Sequence, residues 1–376
     1  MKIGYLSLGE NRFPGVKRDD TQYYLDYLAL AEVVDQLGYH SFWTGEHHFA
    51  HVAAVSSPLV LLSAIAARTK DIRLATAVNV LSFHHPIRYA EDHATLDVIS
   101  GGRAQAGIGV GYAQGEFEAF GRTLDGAREL THEVAAIAAD ALNTGRFGGV
   151  QGSHYKPTDR PLVPAPVQNP FPIYAALSGN WSTVQWAAEN GFNLITSSQS
   201  PAATGNSLAE TIEFFQRTRQ EHGYGPGQVA VPFFTLVSRD EDKIAREFDL
   251  MVDYWKHLAN DLGDAFPRDL DYWMRLKDQF ARLTVEDLHN RQTAFGTPEK
   301  LVELFLKVAE TGTDEVLIEP FYGPQELEES LRNARMFREE VMPAVDERFG
   351  GPKYGWDGEK IALVSPAANV LTPAAV

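Results

Sequence analysis

Residues 72–109 read IRLATAVNVLSFHHPIRYAEDHATLDVISGGRAQAGIG and contain one complete strand–helix–strand unit. The apolar run Ile72–Leu81 is typical of a buried strand, and Ile87–Ile99 has apolar residues at helical spacing before two glycines end it. Ala104–Gly109 is a second apolar run. Because parallel strands need a crossover helix between them, this unit predicts a parallel sheet that is buried on both faces.

The same alternation extends along most of the chain. The predicted strands are Ile3–Leu8, Ser41–Thr44, Ile72–Leu81, Ala104–Gly109, Ile173–Leu177, Leu194–Thr196, Val229–Val237 and Val316–Glu319. The predicted helices are Gln22–Leu37, Pro58–Arg68, Ile87–Ile99, Ala127–Leu142, Thr183–Asn190, Leu208–His222 and Gln325–Val341. Eight strand–helix units favour a closed (β/α)8 barrel, a TIM barrel of the α/β class, over an open doubly wound sheet, which usually has fewer strands.

Two segments interrupt the regular pattern, and a third follows it. Asn143–Pro172 is rich in glycine and proline and predicts a long surface excursion rather than a linker between domains. An aromatic-rich helical insertion at about 241–295 follows the seventh strand, which predicts a lid over the barrel mouth; extra helices in the outer ring are the alternative. We expect one domain over 1–347 and a C-terminal tail over 348–376.

The composition limits the partners and the chemistry. The 376 residues carry a formal net charge of −17 and contain no cysteine. Such an acidic surface repels nucleic acid and anionic membranes, and the lack of thiols excludes disulfides, thiolate catalysis and cysteine-ligated metals. The sequence has no apolar run long enough to span a bilayer, and its start, MKIGYLSL, lacks the features of a signal peptide. We therefore expect a cytoplasmic protein that binds neither nucleic acid nor a membrane.

In such a barrel the chemistry sits at the C-terminal ends of the strands, which makes the histidines after the second strand candidates. Neighbouring side chains on an extended chain point to opposite faces, so His47 and His48 are poorly placed to bind one ion, and a metal site would also need Glu46, His84 or His85. A hydrogen-bonded structural histidine is a further alternative. We favour His47 as a catalytic group, because imidazole exchanges a proton near neutral pH, and we predict no metal site.

Two further strand ends carry glycine or hydroxyl residues. Gly107, Gly109 and Gly111 match a dinucleotide fingerprint only superficially, because no helix follows at once; we interpret them as positions where the backbone approaches a flat ring. The segment SGNWST at 178–183 follows the fifth strand. It predicts an anion pocket of N–H and hydroxyl donors at a helix start, although simple N-capping by Ser182 explains it equally well.

Four motifs together resemble the bacterial-luciferase-like flavin monooxygenases, and the luciferase α-chain in particular. They are TGEHHF at 44–49, LATAVNVLSFHHP at 74–86, AEDHATLDVISGGRAQAG at 90–107 and GTPE at 296–299, and the resemblance runs in order over about residues 1–347. It implies a (β/α)8 barrel that takes reduced FMN from a separate flavin reductase. It also implies that the enzyme uses dioxygen through a flavin C4a-hydroperoxide and works as a homodimer or heterodimer; we expect a homodimer. The aromatic insertion and the apolar barrel mouth suit a small apolar organic substrate.

The resemblance also assigns residues to the site. His47 is similar in place to the histidine that assists the flavin chemistry, and Ala77–Val78 matches a non-proline cis peptide bond behind the flavin ring. Hydroxyl groups that bind the phosphate match Ser178, Ser182 and Thr183. We expect the cofactor to contact Ala77, Val78, Asn79, Gly109, Tyr112, Ser178, Gly179, Ser182 and Thr183.

Two positions depart from the luciferase pattern. Gly109 stands where luciferase has a cysteine beside the flavin, and Val110 stands where it has a phosphate-binding arginine. The pocket that begins at Ser178 would then carry more of the phosphate binding. Two alternatives are a deazaflavin-dependent hydride-transfer enzyme of the same superfamily and a non-catalytic flavin-binding relative; the second lacks the catalytic histidine that is present here as His47.

Overall fold

A closed barrel of parallel strands forms the centre of the molecule, as the sequence predicts. The computed structural model describes residues 1–9, 12–13, 16–17, 19–49, 55–177, 181–196, 207–263, 293–320 and 326–349. Within these residues the eight barrel strands are Lys2–Ser7, Ser41–Thr44, Arg73–Thr76, Ala104–Gly109, Ile173–Leu177, Asn193–Thr196, Val229–Val237 and Glu315–Glu319. Each strand pairs in parallel with the next, and the eighth pairs with the first, so the barrel is closed.

Helices surround the barrel. The described helices are Asp20–Gln36, Pro58–Ala66, Pro86–Ser100, Gln114–Ala119, Ala127–Thr144, Trp181–Glu189, Leu208–Glu221, Glu241–Gly263, Pro298–Glu310, Leu327–Met336 and Met342–Phe349. Several of these helices are capped at the N-terminus by a side chain that accepts a backbone N–H; Asp19, for example, accepts the N–H of Gln22. Of the helices in the described part of the chain, none has the length and apolar character needed to cross a bilayer.

Side chains that point into the barrel form a buried cluster below the mouth. Leu6, Trp43, Ala75, Tyr174, Ile195, Ala230 and Leu317 form this inner cluster. The indole of Trp43 meets the ring of Tyr174 edge-on, with the ring centroids 5.0 Å apart. Each large side chain buried in this way stabilises the fold by roughly 1.5–3 kcal/mol. Since the interior is packed, a ligand has room only above this layer, at the C-terminal ends of the strands.

The barrel sheet differs from the prediction at the third strand and beside the seventh strand. The run predicted as one strand, Ile72–Leu81, is divided into Arg73–Thr76 and Asn79–Val80 by a cis peptide bond at Ala77–Val78, the position that the resemblance implies. The second half pairs only with the fourth barrel strand. A short strand that the sequence analysis missed, Thr293–Gly296, pairs with the C-terminal half of the seventh barrel strand.

The last helix in the described part of the chain extends further than predicted. The helix predicted to end at Val341 continues through a wider, π-type turn at Phe337–Val341 into Met342–Phe349. Pro343, which has no N–H to donate, is the second residue after the wider turn.

The predicted surface excursion contains some regular structure of its own. Arg146–Phe147 pairs with Arg160–Pro161 as two antiparallel strands. The carboxylate of Glu133, on the preceding helix, accepts the backbone N–H groups of Ser153, His154 and Tyr155. Residues 264–292 of the predicted lid and 350–376 of the predicted tail lie outside the described residues, so the domain limits stay a prediction.

Candidate active site

The packed interior ends at the barrel mouth in a layer of small apolar side chains. Leu8, Ala77, Val78 and Ala176 pack on the inner cluster below them, yet each is only partly buried. They come from the ends of the first, third and fifth barrel strands. Because none of the four side chains carries a polar atom, the layer suits the face of a flat apolar ring. We call these four residues the mouth floor.

Glycines in the fourth barrel strand let the third strand approach closely. A Cβ atom on Gly107 would lie 1.9 Å from the carbonyl oxygen of Thr76, and one on Gly109 would lie 2.6 Å from Cγ2 of Val78. The first contact is with backbone, so Gly107 requires glycine, whereas a side chain at Gly109 would require Val78 to move. Our interpretation from the sequence, in which the glycines admit a ring, was therefore incomplete, because they also admit Val78 to the mouth floor.

His47 lies at the rim of the mouth, on the loop after the second barrel strand. In that strand Trp43 points into the barrel, whereas Thr44 points outwards and accepts a hydrogen bond from Tyr27. The imidazole of His47 is 22% exposed and lies edge-on to Tyr112, with ring centroids 6.2 Å apart. The structure thus brings two predicted site residues, His47 and Tyr112, together.

A buried carboxylate stands beside His47. Glu116, in the short helix Gln114–Ala119, is 5% exposed, and its Oε1 lies 3.8 Å from Nδ1 of His47. The same oxygen accepts the backbone N–H of His48 at 2.7 Å, which fixes its direction. A separation of 3.8 Å is too long for a hydrogen bond but close enough for an ion pair once the imidazole carries a proton. The carboxylate and the imidazole therefore face each other at the mouth.

The carboxylate of Glu46 is also buried and accepts hydrogen bonds from two segments. Nδ2 of Asn79 donates at 2.8 Å and the N–H of Val80 at 3.1 Å, while Nε2 of His48 and of His84 lie 3.0 Å and 2.9 Å from its oxygens. Burial raises the pKa of Glu46, but hydrogen bonds from His48, His84 and Asn79, together with the charge of His84, outweigh it and bring the pKa to about 2. The group is ionised throughout the physiological pH range.

The two adjacent histidines therefore contact different carboxylates. His47 faces Glu116, and His48 contacts Glu46. Among the described residues, no group of three or more histidine, aspartate or glutamate side chains is arranged to hold a metal ion. The arrangement serves hydrogen bonding and charge pairing at the rim of the mouth.

The side chain of Asn79 faces away from the mouth. Asn79 pairs in register with Ile108, whose side chain belongs to the helix-facing core, and its amide is bound to Glu46. Residues in parallel register point to the same face of a sheet, so both side chains face the helix layer. The predicted contact of Asn79 with a cofactor would then involve its backbone.

Two helices begin side by side and bring three donor side chains together. Arg128 is the second residue of the helix Ala127–Thr144, and Ser182 and Thr183 are in the first turn of the helix Trp181–Glu189. Nη1 of Arg128 lies 3.0 Å from Oγ of Ser182 and 3.5 Å from Oγ1 of Thr183. Two positive helix ends and a guanidinium group favour an anion at this point.

Sequence reasoning found two of these three donors. It assigned Ser182 and Thr183 to the anion pocket but did not include Arg128, whose Nη1 lies beside both hydroxyl groups. The predicted Ser178 and Gly179 lie outside the described residues. Nothing in the spacing of the sequence links Arg128 to Ser182, because 54 residues separate them.

The first part of the predicted lid is fastened to the mouth end of the seventh barrel strand. The helix Glu241–Gly263 buries Tyr254 against Phe234, with ring centroids 5.9 Å apart. Phe248 of the same helix meets Phe295 at 5.0 Å. Both contacts are between buried aromatic rings, so the start of the insertion is packed against the barrel.

Comparison with known families identifies the chain. The sequence profile of the luciferase-like monooxygenases matches residues 1–315. The chain belongs to this family. The resemblance carried by the four motifs is thereby confirmed, as is the prediction that this luciferase-like protein is an enzyme.

Two relatives show how far the similarity extends. The chain is 36% identical over 171 residues to the uncharacterized protein y4wF of Sinorhizobium fredii (strain NBRC 101917 / NGR234), a match that covers 46% of this chain and 50% of that protein. It is 26% identical over 347 residues to the alkanal monooxygenase alpha chain of Photobacterium leiognathi, covering 85% of this chain and 93% of the relative. The second match spans nearly the whole barrel.

Solved structures of similar fold include proteins with two kinds of cofactor. Monooxygenase RslO1 from Streptomyces bottropensis has a TM-score of 0.77 at 23% identity and covers 92% of this chain and 100% of its own. Two structures match with TM-scores of 0.70 at 18% identity, covering 92% of this chain and 98% of theirs. One is the oxygenating constituent of 3,6-diketocamphane monooxygenase from the CAM plasmid of Pseudomonas putida, in complex with FMN; the other is an F420-dependent secondary alcohol dehydrogenase. At these identities the likeness concerns the fold.

Proposed function

We propose that this luciferase-like monooxygenase binds reduced FMN at the barrel mouth and uses dioxygen to oxygenate a small apolar organic substrate. One arrangement carries the proposal. The mouth floor, the His47–Glu116 pair and the donor cluster at Arg128 all lie at the C-terminal end of the barrel. They correspond to the needs of FMN chemistry: an apolar surface for a tricyclic ring, a proton-exchanging group and an anion site for a phosphate.

The residues present fit FMN at both ends of the cofactor. The mouth floor would contact the face of the isoalloxazine ring, and Arg128, Ser182 and Thr183 would bind the phosphate. When bound, the reduced flavin supplies the two electrons that activate dioxygen. The name of the Photobacterium relative, an alkanal monooxygenase, supports an oxygenation reaction.

His47 is proposed to exchange a proton with the reacting oxygen atoms. Its imidazole is partly exposed at the mouth, and the carboxylate of Glu116 lies 3.8 Å from Nδ1. Nε2 then serves as the proton donor or acceptor. A positioned general acid or base contributes roughly 10²- to 10⁴-fold to a rate, which sets the expected loss when the imidazole is removed.

An apolar substrate is proposed because the mouth offers little to bind a polar one. The mouth floor has no polar side-chain atom, and Phe234 and Tyr254 line the side formed by the seventh barrel strand and the insertion. Apolar walls also exclude water, which favours oxygen transfer to the substrate over loss of hydrogen peroxide. The predicted lid over 241–295 would extend this wall.

Three further parts of the proposal follow from the resemblance and the composition. A separate flavin reductase supplies the reduced FMN, two copies of the chain form a homodimer, and the protein acts in the cytoplasm. Size-exclusion chromatography with light scattering tests the second part, because it distinguishes one chain of 41.6 kDa from two.

An anaerobic titration with reduced FMN, and a parallel one with reduced F420, tests the proposed cofactor. We expect binding of FMN and, on admission of air with a panel of aldehydes and cyclic ketones, oxygenated product. His47→Ala should leave FMN binding largely intact and lower product formation about 10²-fold or more. His154→Ala is the control, since His154 is exposed and pairs with Glu133 in the surface excursion. Selective binding of F420 with hydride transfer, or full product formation by His47→Ala, would contradict the proposal.

A further inference from the structure

We propose that Glu46 and His84 are positioning residues, which clamp the loop that carries His47 to the segment that carries the mouth floor. The inference rests on the proposed function, because the proposed function assigns proton exchange at the mouth to His47. Glu46 precedes His47 directly in the chain, and Asn79 and Val80 follow Val78. We call the hydrogen bonds of the Glu46 carboxylate with Asn79, Val80 and His84 the clamp. Because Glu46 is next to His47 and Asn79 is next to Val78, the clamp acts on the catalytic imidazole and on the mouth floor.

The carboxylate of Glu46 connects three places in the fold. It belongs to the loop after the second barrel strand, and it accepts hydrogen bonds from Asn79 and Val80 in the short strand Asn79–Val80. It also contacts Nε2 of His84, at 2.9 Å and 3.0 Å from its two oxygens, just before the helix Pro86–Ser100. One buried charge, 4% exposed, thus holds together a loop, a strand and the approach to a helix.

Two backbone hydrogen bonds join the loop that carries Glu46 to the mouth floor. The N–H of Glu46 donates to the carbonyl oxygen of Val78 at 3.1 Å, and the N–H of Ala77 donates to that of Thr44 at 2.7 Å. If Glu46 moves, both Val78 and His47 must move with it. A displacement of about 1 Å between reacting groups can cost roughly 10²-fold in rate, so the clamp affects the chemistry although it lies behind the mouth.

His84 is the part of the clamp that can be removed without leaving a hole in the core. Its side chain is 27% exposed, whereas that of Glu46 is 3% exposed. Without His84 the carboxylate keeps the donors Asn79, Val80 and His48. Substitution at His84 should therefore loosen the clamp while the fold persists, and His84→Gln can restore an N–H donor where His84→Ala cannot.

Hydrogen–deuterium exchange of the flavin-free protein tests the clamp independently of activity. In His84→Ala the amides of residues 46–48 should exchange about three- to tenfold faster, the size expected when one partly exposed hydrogen bond to a charged group is lost. His84→Gln should restore most of the protection, and the exchange elsewhere should be unchanged. Unchanged exchange of residues 46–48 in His84→Ala would overturn the proposal.

A second measurement tests the consequence for catalysis. With reduced FMN, dioxygen and a substrate, a loosened clamp should lower the ratio of oxygenated product to dioxygen consumed at least about threefold, and His84→Gln should recover it. In the uncoupled reaction the flavin gives two electrons and two protons to dioxygen, which leaves as hydrogen peroxide. His154→Ala, which breaks a histidine–glutamate pair outside the mouth, is the matched control.

The outcomes separate the two claims. Normal coupling in His84→Ala with faster exchange of residues 46–48 would show that the clamp is structural only, which contradicts the positioning role. A wild-type protein that binds no FMN would refute the proposed function, whereas the exchange experiment would still decide whether Glu46 and His84 hold the loop.

Discussion

Replacing Arg128 by methionine should separate the binding of the FMN phosphate from that of the ring. Arg128→Met keeps most of the aliphatic stem but removes the guanidinium group, whose Nη1 lies 3.0 Å from Oγ of Ser182. A hydrogen bond to a charged group is worth about 1.5–3 kcal/mol, and about 1.4 kcal/mol is tenfold in affinity, so the Kd for FMN should rise about ten- to hundredfold. Since Arg128 is only half-buried, solvent screening favours the lower end.

The assay is a pair of anaerobic titrations, one with reduced FMN and one with reduced riboflavin, which has the same ring but no phosphate. The Kd for riboflavin should stay the same in Arg128→Met, while the Kd for FMN approaches it. Arg88→Met is the control, because the exposed guanidinium of Arg88 pairs with Glu91 and Asp92 on its own helix. Equal weakening for both flavins, or no change for either, would refute the assignment of Arg128 to the phosphate.

Three other substitutions test separate parts of the structure. Glu116→Gln keeps an acceptor for the N–H of His48 but removes the charge beside His47, so product formation at saturating FMN should fall about tenfold, the equivalent of about 1.4 kcal/mol; wild-type turnover would argue against the pair. Gly107→Ala puts a methyl group 1.9 Å from the carbonyl oxygen of Thr76 and should lower the free energy of unfolding in urea by about 1–3 kcal/mol or more. Gly115→Ala, where a Cβ meets nothing within 4 Å, should not lower it, and similar losses in both variants would refute the steric argument. Burial raises the pKa of Glu315 to about 7 in spite of the hydrogen bond from Ser41, so the stability gained from its bound proton is complete below the ordinary value of 4.5 and is lost as the pH rises through 7. Glu315→Gln should flatten the pH dependence of the unfolding free energy over this range, and an unchanged slope would contradict the assignment.

The barrel could be predicted from the sequence because its strands are apolar runs separated by helical patterns. All eight barrel strands were found in this way, since burial on both faces leaves a strong local signal. Thr293–Gly296 was missed because four residues ending in glycine give almost none. The division of Ile72–Leu81 left no signal in the spacing of its apolar residues; the family resemblance alone pointed to the cis peptide bond at Ala77–Val78.

The candidate site residues could be predicted where they lie within a few residues of a strand end. His47 was found because it comes just after the second barrel strand, at the end where this fold places its chemistry. Glu116 and Arg128 were missed, because 68 residues separate Glu116 from the His48 amide that orients it and 54 separate Arg128 from Ser182. Contacts of this range arise from the closure of the barrel, and no local spacing encodes them.

A crystal structure of the protein with bound FMN tests the central claim most directly. The account predicts the isoalloxazine ring on the mouth floor beside His47, with the phosphate within hydrogen-bonding distance of Arg128, Ser182 and Thr183. Flavin bound elsewhere on the barrel, or a phosphate that none of these three side chains contacts, would contradict it.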